Sequence, residues 1–237
     1  MEIHDSGASG AATFKWSREN GALAAQVDGI NDQTIQISYV GRGIKTGFAA
    51  NDWIEVTNDN LGLNGKRGVM AQISEVLADS SFKLTVPDKD KTLWHDEIIG
   101  GGAVAVPERL EKLHTRARRW DGAGEKIVDE SYWIKIENDI EVFFGDADSA
   151  YYKTGDYWLM PSRSLMKDIY WEKDENGEPL FKDAFGIRHK YLCLALVELN
   201  GNAWAWKEDL RIKFGSWGIF WARMEAKLRG IFMLDKI

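Results

Sequence analysis

Cysteine is nearly absent: Cys193 is the single one in 237 residues. One thiol excludes an intrachain disulfide framework and a cysteine-built zinc cage. Its place in the apolar run Tyr191 to Val197 predicts a buried, inert side chain. Positive charge is also short. The formal net charge is −7, with Asp and Glu scattered through every segment, which favours solubility and works against general binding to phosphate backbones. Nucleic acid is therefore not an expected partner. No run of about 18 uninterrupted apolar residues occurs, so helical membrane insertion is not expected either. The opening MEIHDSGASG lacks the basic and apolar regions of a Sec-type signal. A soluble chain, cytoplasmic at synthesis, is the expectation.

Motifs that carry chemistry are lacking too. Gly41-Arg-Gly-Ile-Lys-Thr-Gly47 and Gly62-Leu-Asn-Gly-Lys66 match neither phosphate-loop pattern and read as turns. Asp146-Ala-Asp148-Ser149 starts like a calcium loop, but Tyr151 holds its glycine position and Tyr157 its glutamate position. His189 and Cys193 lie four apart, about 13 Å along a strand, too far for a catalytic couple. No cofactor and no metal are implied.

What is abundant is tryptophan, eleven in all, spread from Trp16 to Trp221. Each can bury roughly 200 Å² and still needs a partner for its indole N–H, so scattered tryptophans predict core and strand-edge packing. The apolar period along the chain is mostly two. Thr34 to Val40, Trp53 to Val56, Val69 to Val76 and Phe82 to Val86 read as strands joined by glycine-rich turns, with Asn64-Gly65 predicting a two-residue hairpin. Residues from about 11 to 87 predict a small barrel, and Asp88 to Val106 a linker closed by Pro107. Beyond it, WIKIENDIEVFF reads as a hairpin turning at Asn138-Asp139. YYKTGDYWLMPSR (Tyr151 to Arg163) reads as packed β-structure, and Leu192 to Leu199 as a strand for the centre of a sheet. Trp217, Phe220, Trp221, Met224 and Leu228 fall at three- and four-residue steps, which predicts an amphipathic C-terminal helix.

Seven blocks occur in order: TFKWSRENG, NDWIEV, LNGKRGVMAQI, RRWDG, IENDIEVFF, YKTGDYWLMPSR and GIRHKYLCLALVEL. Together they resemble a bacterial domain-of-unknown-function family (DUF6519), whose members turn up beside genes of phage-tail-like contractile injection systems. Family members are typically longer, with an N-terminal segment before the strand that here begins MEIHD. Asn138-Asp139 replaces the family's Asp-Gly, and His189 stands alone where a His-His pair is usual.

The predicted fold is mainly β. A small barrel module with a glycine-rich linker occupies 1–107, and a β-sandwich-like module with the C-terminal helix occupies 108–237. The expected role is a non-catalytic structural or adhesive component of a phage-tail-like or cell-surface assembly, docking on a protein partner or a second copy through Trp217, Phe220, Trp221, Met224 and Leu228. The alternative is carbohydrate binding by Trp120, Asp121, Tyr152, Tyr157 and Trp158. A third reading is glycan hydrolysis by paired carboxylates among Glu137, Asp139 and Glu141. The basic cluster His114, Arg116, Arg118 and Arg119 is expected to form salt bridges with the acidic surface.

Overall fold

The computed structural model describes residues 1–38, 47–78, 80–102, 104–137, 140–145, 151–163, 168–186 and 192–211. The chain divides into two compact units, Met1–Ile187 and Arg188–Ile237. In chain order the first unit carries β1 (Glu2–Asp5), β2 (Thr13–Trp16), β3 (Ala24–Asn31), β4 (Thr34–Ile37), β5 (Trp53–Thr57), β6 (Val69–Val76), β7 (Ser81–Thr85), β8 (Val104–Ala105), β9 (Arg116–Ile127), β10 (Ile134–Glu137), β11 (Ile140–Val142), β12 (Ser162–Arg163) and β13 (Asp168–Ile169). The second carries β14 (Ala195–Asn200) and β15 (Ala203–Asp209). The fold is mainly β, with one closed six-stranded barrel and further small sheets.

The barrel runs β9, β5, β6, β7, β4, β3 and returns to β9. Closure depends on β9, which is long enough to pair with β3 through Arg116–Arg118 and with β5 through Arg116–Trp120. The barrel expected from residues 11 to 87 thus needs a strand from beyond Pro107, and the sheet crosses the boundary expected there. Inward-facing Val27, Ile35, Ile54, Val56, Ile73 and Phe82 fill the interior, and each such side chain contributes about 1.5–3 kcal/mol of burial.

Two connections differ from expectation. Leu63 to Lys66 is the end of the helix Asp59–Leu63, not a hairpin. Asn58 caps its start by accepting from Leu61 N at 3.0 Å. Gly65 ends it at φ +64, with Lys66 N donating to Leu61 O and Gly65 N to Gly62 O. Asn-Gly suits that left-handed helix stop as well as a hairpin tip, which is why local reading misassigns it. The predicted linker is likewise ordered: it forms consecutive short helical turns over Asp88–Asp90, Lys91–Leu93 and Trp94–Ile99, followed by β8 on the edge of β3. Trp94, Ile98 and Ile99 are buried in the barrel core, and Trp94 Nε1 donates to Asp32 O at 3.0 Å. Burial of three large side chains outweighs a charged composition.

A second core lies outside the barrel. Ile3, Phe14, Val128, Ile134, Val142, Phe144 and Tyr152 form it, so the hairpin β10–β11 covers one face of β1–β2. Tyr151 to Arg163 forms no long strand. It follows the backbone of residues 1–7 through Ile3 N to Asp156 O at 2.7 Å, Trp158 N to Met1 O at 2.9 Å and reciprocal bonds between Gly7 and Tyr152.

In the second unit β14 pairs with β15 alone among the described strands, so it is one half of a two-stranded ribbon and not a central strand. Cys193 is exposed there, not buried. Period-two apolarity signals a covered face without saying what covers it. The predicted C-terminal helix, with Trp217, Phe220, Trp221, Met224 and Leu228, lies outside the described residues, as do the turn at Asn138-Asp139 and His189.

Asn58 supplies the fold's clearest single test. Besides capping, its Nδ2 donates to Glu97 O at 3.0 Å, and the side chain is fully buried. Asn58→Ala is expected to cost about 2 kcal/mol in urea denaturation, since the buried Leu61 N–H loses its cap while Glu97 O keeps only its bond from Arg109 Nη2.

Candidate functional site

Strand alternation decides which groups meet. Ile3 and Phe14 pair across β1–β2 and face the second core, so Glu2, His4 and Lys15 must project from the other face, toward the barrel wall. On β5, Ile54 and Val56 point into the barrel and Glu55 points out, to meet them. The result is a buried ionic cluster. Lys15 Nζ lies 2.5 Å from Glu55 Oε1 and 3.1 Å from Glu2 Oε1. His4 Nδ1 is 3.4 Å from Lys15 Nζ, and its Nε2 is 3.5 Å from Glu125 Oε2. Glu55 also accepts from Trp120 Nε1 at 3.2 Å and from Gly68 N at 3.3 Å.

Burial alone would raise the Glu55 carboxyl. The Lys15 ammonium and the hydrogen bonds from His4 and Lys15 together outweigh it and hold the group well below the usual carboxylate range. His4 moves down for a different reason: burial dominates, the Glu55 carboxylate opposes it, and the Lys15 charge adds to it. A neutral imidazole beside a charged Lys–Glu pair is the state this produces. Sealed from solvent, the cluster is suited to joining β1–β2 to the barrel and not to turnover.

The five residues expected to bind ligand are not one site. Trp120 is buried in the ionic cluster, with Lys15 Nζ 4.5 Å from its ring centroid. Asp121 next to it accepts from Arg18 N at 2.7 Å. Tyr157 stacks on Phe185 at 5.6 Å. Only Tyr152 and Trp158 come together, at a cleft of about 510 Å³. Tyr152 is its buried base: its hydroxyl donates to Glu130 Oε1 at 2.7 Å, and burial with that carboxylate raises its pKa.

The remaining cleft walls were not anticipated. Trp133, Phe143, Trp171 and Phe181 line it, with ring centroids 5.4 Å apart for Trp133–Phe143 and 6.0 Å for Phe143–Phe181. Trp171 and Phe181 both reach the cleft because the turn Asp174–Gly177 lies between them, where Asp174 Oδ1 accepts from Asn176 N and Glu178 N. Asn176-Gly177 was the available sequence signal for that turn. Glu137 and Glu141 open on different clefts. Arg18 holds Glu137 through both carboxylate oxygens, at 2.8 and 2.9 Å from Nε. The segments 39–46 and 146–150 and the residue Asp139 lie outside the described residues.

The basic cluster is paired with acids. His114 and Arg116 meet Asp59 at 2.6 and 3.1 Å, Arg119 meets Glu19 at 3.2 Å, and Arg118 lies 3.9 Å from Glu2. Among the described residues no helix is long and apolar enough to cross a membrane.

Barrel, sealed ionic cluster and aromatic cleft define a mainly β protein whose outer hairpin carries a recess. The chain belongs to a family of unknown function (DUF6519), whose family model matches residues 2–208. No curated protein and no solved structure matches it.

Two measurements check the cluster. Lys15→Met leaves Glu55 buried without its counter-charge and is expected to lower stability by about 3–5 kcal/mol. The pH dependence follows from the two lowered pKa values. Below the ordinary imidazole value of 6.5 the unfolded chain takes up a proton that folded His4 does not, so stability falls as pH drops through that range. Glu55 stabilises the fold above the ordinary carboxyl value of 4.5, and that contribution is lost as pH falls further. Urea denaturation from pH 8 to about 2 is expected to show both losses, and His4→Gln to remove the first.

Proposed function

We propose that this chain is a non-catalytic structural or adhesive module of a phage-tail-like or cell-surface assembly, working outside the cell or within the tail-like particle. The supporting observation is the ribbon β14–β15. Register places Val197 opposite Trp206 and Leu199 opposite Trp204, so these four side chains share one face. Trp204 and Trp206 are 71% and 62% exposed. The opposite face is mixed: it carries Leu196 and Ala205 beside Glu198, which lies 3.4 Å from Lys207 Nζ. A two-stranded ribbon gains little stability alone in water, so an apolar face of this kind favours a covering surface.

A second copy of the chain is the proposed cover. The ribbon carries both charge signs beside its apolar face and can complement itself, and the apolar positions Trp217, Phe220, Trp221, Met224 and Leu228 that follow it in sequence add surface for the same contact. The blocks shared with the family support the assembly setting by resemblance.

Light scattering on the full chain over a concentration series tests this reading. A mass of two or more chains is expected, reduced by Trp204→Ser combined with Trp206→Ser. A monomer at every concentration would overturn it.

A further inference from the structure

We propose that the aromatic cleft beside the hairpin β10–β11 binds a neutral saccharide of two or three pyranose units. Its volume of about 510 Å³ falls within the range of small-ligand sites, roughly 300–1,000 Å³. The site does not depend on the assembly reading, because it lies wholly within the first unit.

The walls are set before any ligand arrives. Trp171 Nε1 donates to Leu180 O at 2.7 Å, and Trp158 Nε1 donates to Lys182 O at 2.9 Å. Both indole N–H groups are therefore spent on one backbone segment, and these side chains offer ring surface to the cleft. Phe144 supports Trp158 edge-on from the second core, with centroids 5.9 Å apart. Trp133 and Phe181 are each about half exposed, at 50% and 52%, and both touch Phe143. A strip of open aromatic surface results.

The polar groups favour one ligand chemistry. Glu141 and Glu178 line the cleft, and no hydrogen-bond or ion-pair partner of their carboxylates is found among the described residues. Lys173 and Lys182 border it as well, and Lys182 lies 4.7 Å from the centroid of Trp171 and 3.6 Å from Glu172. A strongly cationic ligand would meet two ammonium groups, and an anionic one two free carboxylates. Sugar hydroxyls both donate and accept, which suits a rim carrying both kinds of group. The C–H face of a pyranose is apolar and stacks on aromatic rings, which suits the walls.

Isothermal titration calorimetry on the full chain, with cellobiose, maltotriose and N,N′-diacetylchitobiose as probes and tetramethylammonium for comparison, tests the proposal. Saturable binding of at least one saccharide is expected. It should weaken about tenfold in Trp133→Ala and in Phe181→Ala, the size of one lost aromatic contact, and severalfold in Glu141→Gln. The urea denaturation midpoint should change little, because the two rings replaced are each about half exposed. Combined Trp204→Ser and Trp206→Ser should leave saccharide binding intact, which separates this site from the assembly surface. Failure of all three saccharides to bind, binding of tetramethylammonium alone, or saccharide binding indifferent to both ring substitutions would overturn it.

Discussion

The buried Lys15–Glu55 pair is the constraint around which the first unit is arranged. It bridges the β1–β2 pair, which is also hydrogen-bonded to the far part of β9, to a barrel whose outer wall would otherwise present an isolated carboxylate. Every nearby polar group serves it: His4 from β1, Trp120 from β9, the Gly68 amide and Glu2 all approach the two charges. Around it lie further pairs of mixed burial, including Arg67 with Asp90 at 2.6 Å and with Asp5 at 3.1 Å, and Lys89 with Glu125. Replacing a buried pair by apolar side chains is often neutral, whereas removing one partner is costly. The network therefore binds β1–β2 in one register more than it adds net stability.

That register has consequences on both sides of the sheet. With the charged face of β1–β2 committed to the barrel, Ile3 and Phe14 are turned outward, and an exposed apolar face there would be unfavourable. The hairpin β10–β11 and the chain around Tyr152 to Trp158 cover it. Phe144 packs against Phe14 at 5.2 Å and against Tyr152 at 5.5 Å. The aromatic cleft is thus the outermost layer of a stack that starts at the barrel interior.

The two units present different surfaces. The cleft offers fixed rings and a rim of mixed charge, a geometry for small, flat, polar-edged ligands. The β14–β15 ribbon offers an extended apolar face, with Trp204 and Trp206 exposed on it.

Much of the barrel was legible locally, because period-two runs at Thr34, Trp53, Val69 and Phe82 mark strands with one buried face. The mainly β class and the hairpin Ile134–Val142 followed from the same signal, and the family from its ordered blocks. Other features depended on partners distant in sequence. Closure by β9 pairs Arg116 to Arg118 with residues about ninety positions earlier, and no local pattern encodes that. EIHD and TFKW alternate polar and apolar residues, but a charged face ordinarily meets water, and only the fold of β5 beneath it buries His4 and Lys15. Trp120 looked like a ligand platform and serves the ionic cluster, while Trp171 and Phe181, distant in sequence from Trp133, join it at one cleft. Sequence by itself determined strand periodicity, charge balance and family. Tertiary structure decided which polar and aromatic side chains meet, because burial and pairing depend on what each strand face is packed against.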